Sequence, residues 1–189
     1  MRKTSLFAAL LGAGLLAHAP FGLAKGNLVF CSEGSPSGFD TAQYQSGTDN
    51  DVSEPLYNRL VEFERGATGV EPSLATDWSI SDDGLVYTFN LRPGVKFHSN
   101  AGFTPTREFD ADDVLFTFNR MLDPTHPFRM AYGTVFPYFS AMGMDKTIAK
   151  VQKTGPMTVT FTLNHPDATL LQNLAMSFAS VLSLSLIHI

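Results

Sequence analysis

Two pairs of adjacent acids, Asp82/Asp83 and Asp112/Asp113, come nearest to catalytic chemistry by type and spacing. Two carboxyl groups flanking one bond are the equipment of glycoside hydrolysis. Each pair also has a plainer reading, which is preferred. Asp82 and Asp83 precede Gly84 in a turn signal. Asp112 and Asp113 follow Asp110 at the opening of a helix, where acids cap free N–H groups and suit the positive end of the dipole. His98, His126 and His165 lie far apart beside turn residues, so they read as solvated loop histidines rather than metal ligands. No Ser-His-Asp order with a supporting motif, no zinc-type histidine pair and no phosphate loop is present. An enzyme is not expected, nor is a metal or other cofactor.

The elements around these residues are legible from periodicity and punctuation. Residues 28–31 read as a first strand and 34–48, rich in Gly, Ser, Pro and Asp, as loop. Ser53 as cap, Pro55 in the first turn and apolar Leu56, Tyr57, Leu60, Val61 and Phe63 predict a helix over 54–63. Residues 87–92 alternate as a half-buried strand, with Phe89 and Leu91 facing a core, and 95–98 continue as its partner. Asp110 caps a helix whose face is Val114, Leu115, Phe118 and Leu122, and Asp123-Pro124 ends it. Residues 148–153 and 158–163 form a hairpin with Val159, Phe161 and Leu163 on one side. Pro166-Asp167 starts another helix, burying Leu170, Leu171 and Leu174, and 178–183 read as a strand just beginning. Trp78, the only tryptophan, is expected to pack against the core rather than to stack on a ligand. Strands, helices and hairpins together predict an α/β fold with a mixed sheet.

Composition narrows the classes. The 189 residues are 44% apolar, enough for a real core. The net charge of −5 comes without a basic cluster, so nucleic acid is not an expected partner. Arg2 and Lys3 precede an apolar run over 5–17 and the small-x-small sites Ala17-His18-Ala19 and Gly22-Leu23-Ala24. This is the pattern of a secretory signal peptide over 1–24, with cleavage expected after Ala24. The run is too short for a permanent span, which takes about 20 apolar residues. Phe30, too bulky for lipoprotein processing, argues against lipidation of Cys31. The single cysteine reads as a buried free thiol or as half of a disulfide whose partner is missing from this sequence. Residues 184–189 (LSLIHI) resemble a translated sequencing adapter and are expected to be an artefact.

Three stretches carry a family resemblance: CSEGSPSGFD over 31–40, PLYNRLVEFERG over 55–66, and residues 72–120. The third combines a Trp, a Ser-x-Asp-Gly turn, a strand ending in Leu-Arg-x-Gly and an acid-capped helix. Together they resemble the peptide-binding solute-binding proteins of ABC transporters, over residues 25–183, and within them the periplasmic dipeptide binders.

The resemblance implies a two-lobed periplasmic-binding-protein type II fold with an extra small domain, of which this chain is an incomplete, amino-terminal part. Residues 25–57 would begin the first lobe, and 58–183 would be the small extra domain, nearly complete. The implied function is capture of a dipeptide in the periplasm and delivery to an inner-membrane ABC permease, by a monomer, with a chemoreceptor as a further partner. The acid and arginine that pair the charged ends of a dipeptide belong to the second lobe, so the chain is expected to lack them. The loop after the first strand supplies ligand-facing residues, which here are Tyr44, Gln45, Ser46 and Gly47; Gln45 stands where the family usually has Thr. Cys31 resembles a cysteine whose disulfide partner lies downstream. Haem, glutathione or a longer peptide remains an alternative ligand within the family, and an exported hydrolase the alternative outside it.

Overall fold

In the computed structural model, residues 29–185 are described. The signal-peptide reading of 1–24, Leu28 and residues 186–189 lie outside them. Residues 32–185 belong to one compact unit. In chain order its elements are α1 (Gly47–Ser53), β1 (Val61–Phe63), β2 (Val70–Pro72), β3 (Ala75–Ile80), β4 (Val86–Leu91), α2 (Ala111–Leu122), α3 (Pro127–Tyr132), α4 (Pro137–Ala141), α5 (Met144–Thr147), β5 (Ile148–Gly155), β6 (Thr158–Leu163), α6 (Leu170–Leu174) and a 3-10 turn (Ser177–Ala179).

The alternation along residues 87–92 becomes β4, with Tyr87, Phe89 and Leu91 buried. It lies inside a four-stranded sheet of order β3-β4-β6-β5 in which every pairing is antiparallel, so among the described residues the expected mixed sheet is not found; the short turns joining β3 to β4 and β5 to β6 can connect only antiparallel neighbours. Register opposes Phe89 to Val159 and Tyr87 to Phe161, so the buried residues of both strands share one face. The β5–β6 hairpin is as the sequence predicts, and Val159, Phe161 and Leu163 are buried together. Trp78 opposes Phe89 and packs half-buried against it, ring centroids 6.4 Å apart. Gly84, at φ 70°, turns β3 into β4, and the Asp83 carboxylate accepts from the Ser81 hydroxyl and the Leu85 amide. This is the turn role expected of the first acid pair.

Helix α2 covers the sheet. Asp110 caps it as predicted, in a capping box completed by Asp113. Phe118 meets Phe161 edge-on at 4.9 Å, and Phe161 meets Phe89 at 5.5 Å. The burial is wider than a single stripe. Val114 and Phe118 are buried and Leu115 and Leu122 half-buried, but Phe116, Thr117 and Arg120 are buried as well. Helix α3 and Phe136, just before α4, supply rings beside Phe116 and Arg120, and residues 181–185 supply hydrogen bonds beside Thr117 and Asp113.

Several expectations are overturned. Residues 54–63 are not a helix. The helix lies upstream as α1, because Ser46 and Asp49 form a capping box, and chain continuing past Pro55 turns instead of adding helical bonds. Val61 to Phe63 then pairs with β2. Residues 29–31 form no strand; none of the described strands pairs with them. Residues 95–98 are irregular, with Val95 accepting from the Phe109 amide instead of entering a ladder. Residues 178–183 start no strand either. A 3-10 turn leads into single bonds, from the Val181 amide to Asn58 and from the Leu182 amide to the Thr117 hydroxyl. The last helix begins only at Leu170, after Asp167 engages the Thr169 amide and hydroxyl. Leu170 and Leu174 are buried, Leu171 only partly. Strands β1, β2 and β3 and helices α3 to α5 were not anticipated.

Candidate functional site

Asp40 organises the segment that carries the predicted ligand-facing residues. Its backbone carbonyl accepts from the amides of Gln43 and Tyr44 at 2.9 and 3.0 Å. Its carboxylate accepts from the Ala42 amide at 3.1 Å and the Gln43 side-chain amide at 2.6 Å. An Asp bonding to its own turn in this way stabilises a sharp reversal. The same carboxylate takes a bidentate fork from Arg120, at 2.5 and 2.8 Å. Burial pushes the Asp40 carboxyl up, but the Arg120 hydrogen bonds and charge, with the Gln43 and Ala42 bonds, outweigh it and hold it below the ordinary value.

The four predicted residues are contiguous but present different groups. Tyr44 is the one large exposed side chain, and its ring rests on Gly38; a Cβ at position 38 would stand 2.2 Å from it. Gln45 turns inward. Its amide donates to the Thr41 carbonyl, and Ser177 Oγ lies 3.3 Å from its Oε1 and 3.0 Å from Asn50 Oδ1. Ser46 spends its hydroxyl on the cap of α1, 2.7 Å from Asp49 Oδ2. That hydrogen bond, with burial opposing it and the Ser37 and Ser46 amides assisting, holds the Asp49 carboxyl below its usual range. Gly47 opens α1 and is exposed. Much of the backbone here is engaged as well: the Ser46 amide donates to Asp49, the Ser46 carbonyl accepts from the Asn50 amide and the Gln45 carbonyl from the Asn50 side chain, which leaves the Tyr44 ring as the large group the segment exposes.

Other candidate residues take structural roles. Asp113 is buried and accepts from Arg107, from the Asp110 amide and from the Leu184 amide at 2.7 Å, while Asp112 pairs with Lys153 at 2.8 Å. His126 is not a solvated loop residue: its Nδ1 caps α3 by accepting from the Phe128 amide, and burial, with Arg120 adding to it and Asp123 opposing, lowers its pKa. His98 and His165 are exposed. Cys31 is exposed, so the buried-thiol reading is wrong. Among the described residues no cluster of His, Cys, Asp and Glu is arranged to hold a metal, and no helix is long and apolar enough to cross a membrane.

Sequence reasoning missed Asp40, Arg120 and Ser177 as the supports of the loop. The signal for Arg120 was present but faint. It sits one helical turn after Phe116, and a charge on that row calls for a buried partner.

Residues 69–185 match the family described as bacterial extracellular solute-binding proteins, family 5 Middle. The chain belongs to this family. A dipeptide-binding protein of Pseudomonas aeruginosa is 61% identical over 184 residues, covering 97% of this chain and 34% of its own length. Heme-binding protein A of Haemophilus influenzae is 50% identical over 156 residues, covering 82% of this chain and 28% of its own length. The crystal structure of a dipeptide-binding protein from a Pseudoalteromonas species, in complex with Met-Leu, superposes with a TM-score of 0.79 at 40% identity, covering 84% of this chain and 31% of that one. This family 5 chain thus spans about a third of the length of the curated relatives it matches, and its mixed α/β fold matches a part of theirs.

Proposed function

We propose that the protein is the substrate-binding component of an ABC peptide importer, which captures a dipeptide outside the cytoplasmic membrane and delivers it to a permease. The observation that carries this reading is the 61% identity to a dipeptide-binding protein across 97% of the chain. The superposition on a Met-Leu complex supports it. So does the loop over 40–47, which Asp40 and Arg120 hold in place.

In this reading Tyr44, Gln45, Ser46 and Gly47 face the ligand. Tyr44 contributes its exposed ring, while the side chains of Gln45 and Ser46 are engaged within the fold. Residues 25–57 begin the first lobe and 58–183 form the small extra domain. Buried charges of a zwitterion need partners, and the family resemblance puts the acid and arginine that pair the dipeptide termini in a second lobe outside this chain. Closure of the lobes traps the ligand. The chain is exported with residues 1–24 as signal peptide, works as a monomer in the periplasm without a lipid anchor, and Cys31 pairs with a cysteine outside the sequence.

Haem is the second reading, favoured by the 50% identity to a protein named for haem binding. A thermal-shift comparison of the family-length gene product with dipeptides, glutathione, haem and longer peptides separates them. A ligand at a hundred times its Kd stabilises by about 2.7 kcal/mol. The largest shift is expected with dipeptides; a shift with haem alone replaces the first reading by the second.

A further inference from the structure

Long cationic side chains on a helix ordinarily reach water, but Arg120 in the last turn of α2 is fully buried. Its guanidinium carbon lies 5.8, 5.4 and 5.2 Å from the ring centres of Phe116, Phe128 and Phe136. Its two terminal nitrogens fork onto Asp40, and among the described residues its Nε has no acceptor. A planar guanidinium can stack on rings and pair bidentately at the same time, which an ammonium cannot. Desolvating such a pair offsets much of its attraction, so net stability alone is a poor account of it. What the fork does accomplish is geometric. It immobilises one carboxylate, and that carboxylate with its own carbonyl holds Ala42, Gln43 and Tyr44.

We propose that Arg120 is a positioning residue for ligand capture: clamped among three phenylalanine rings, it fixes Asp40 and the turn over 40–44, so that residues 44–47 meet the ligand already in their bound conformation. The proposal rests on the peptide-binding reading above. A loop ordered in advance loses less freedom on binding and so binds more tightly. The three rings come from α2, α3 and the residue before α4, so the packing of the helical side of the unit is transmitted to the loop through one side chain.

The test uses Arg120→Met, which keeps bulk among the rings and loses the fork, Asp40→Asn, and the double variant. Hydrogen exchange on the full chain is read at Gln43 and Tyr44 against β4 and β6. Both single variants are expected to exchange about tenfold faster at the two turn amides, with the double no faster and the sheet unchanged. Unchanged exchange at the turn, or equal loss of protection throughout, overturns the positioning role. In the family-length gene product the same substitutions should raise the dipeptide Kd about tenfold well below the melting temperature, with Arg120→Lys intermediate. An unchanged Kd with a loosened turn severs the link to the ligand. A wild-type protein that binds no dipeptide overturns the peptide reading instead, and the exchange arm still decides whether Arg120 positions the turn.

Discussion

Ser177 Oγ lies 3.3 Å from Gln45 Oε1, joining the loop over 44–47 to a residue 132 positions along the chain. The hydroxyl also reaches Asn50 in α1, so one small side chain ties the loop and the helix after it to the 3-10 turn over Ser177–Ala179. A single hydrogen bond of this kind contributes about 1 kcal/mol. Ser177→Ala is expected to lower stability by about that amount in urea unfolding, with the m-value unchanged.

The neighbouring acids Asp112 and Asp113 should respond very differently to removal. Asp113 has a fully buried side chain held by Arg107, the Asp110 amide and the Leu184 amide. Asp112 is 40% exposed and pairs with a similarly exposed Lys153. Asp113→Ala strands buried donors and a guanidinium, and should cost about 3 kcal/mol. Asp112→Ala should cost less than about 1 kcal/mol. Parallel chemical unfolding of the two variants checks the contrast.

Gly84→Ala is expected to destabilise by about 1 kcal/mol. The residue sits at φ 70°, and a Cβ there would lie 3.4 Å from the Pro166 side chain. Thermal unfolding at fixed pH measures it.

What was legible in the sequence had local causes. Asp110 caps α2 through side-chain chemistry within three residues, β4 shows its alternation, and the β5–β6 hairpin is punctuated by its turn. Residues 54–63 were misread because Leu56, Tyr57, Leu60 and Val61 have a spacing that suits a helix as well as a turn followed by a strand. The choice was made by Val70 to Pro72 pairing across from Val61 to Phe63, together with the Ser46 cap upstream. The proposal that residues 44–47 face the ligand comes from family resemblance alone, and the supports of that loop have no such signal. Arg120 looks like an ordinary cation in the last turn of a helix. Its burial depends on Asp40, Phe128 and Phe136, which converge only in the folded chain.

Asp40 gives the stability of the fold a pH dependence with a definite sign. Its folded carboxyl is held below the ordinary value of 3.8, so near that pH the unfolded chain binds more protons and stability rises with pH. The contribution is complete above the unfolded value and is lost as pH falls through the folded one. Unfolding of the wild type and Asp40→Asn should therefore differ at about pH 7 and draw together as pH falls below the ordinary carboxyl value. A gap of constant size would show that the Arg120 fork does not depend on the charge of Asp40.

Calorimetric titration with one dipeptide, run in parallel on residues 25–185 and on the family-length gene product, tests most directly the claim that this chain is part of a clamp whose charge-pairing residues lie elsewhere. Micromolar or tighter binding is expected from the family-length protein and no measurable heat from the shorter one. No heat from the family-length protein with any dipeptide, or micromolar binding by residues 25–185 alone, would contradict it.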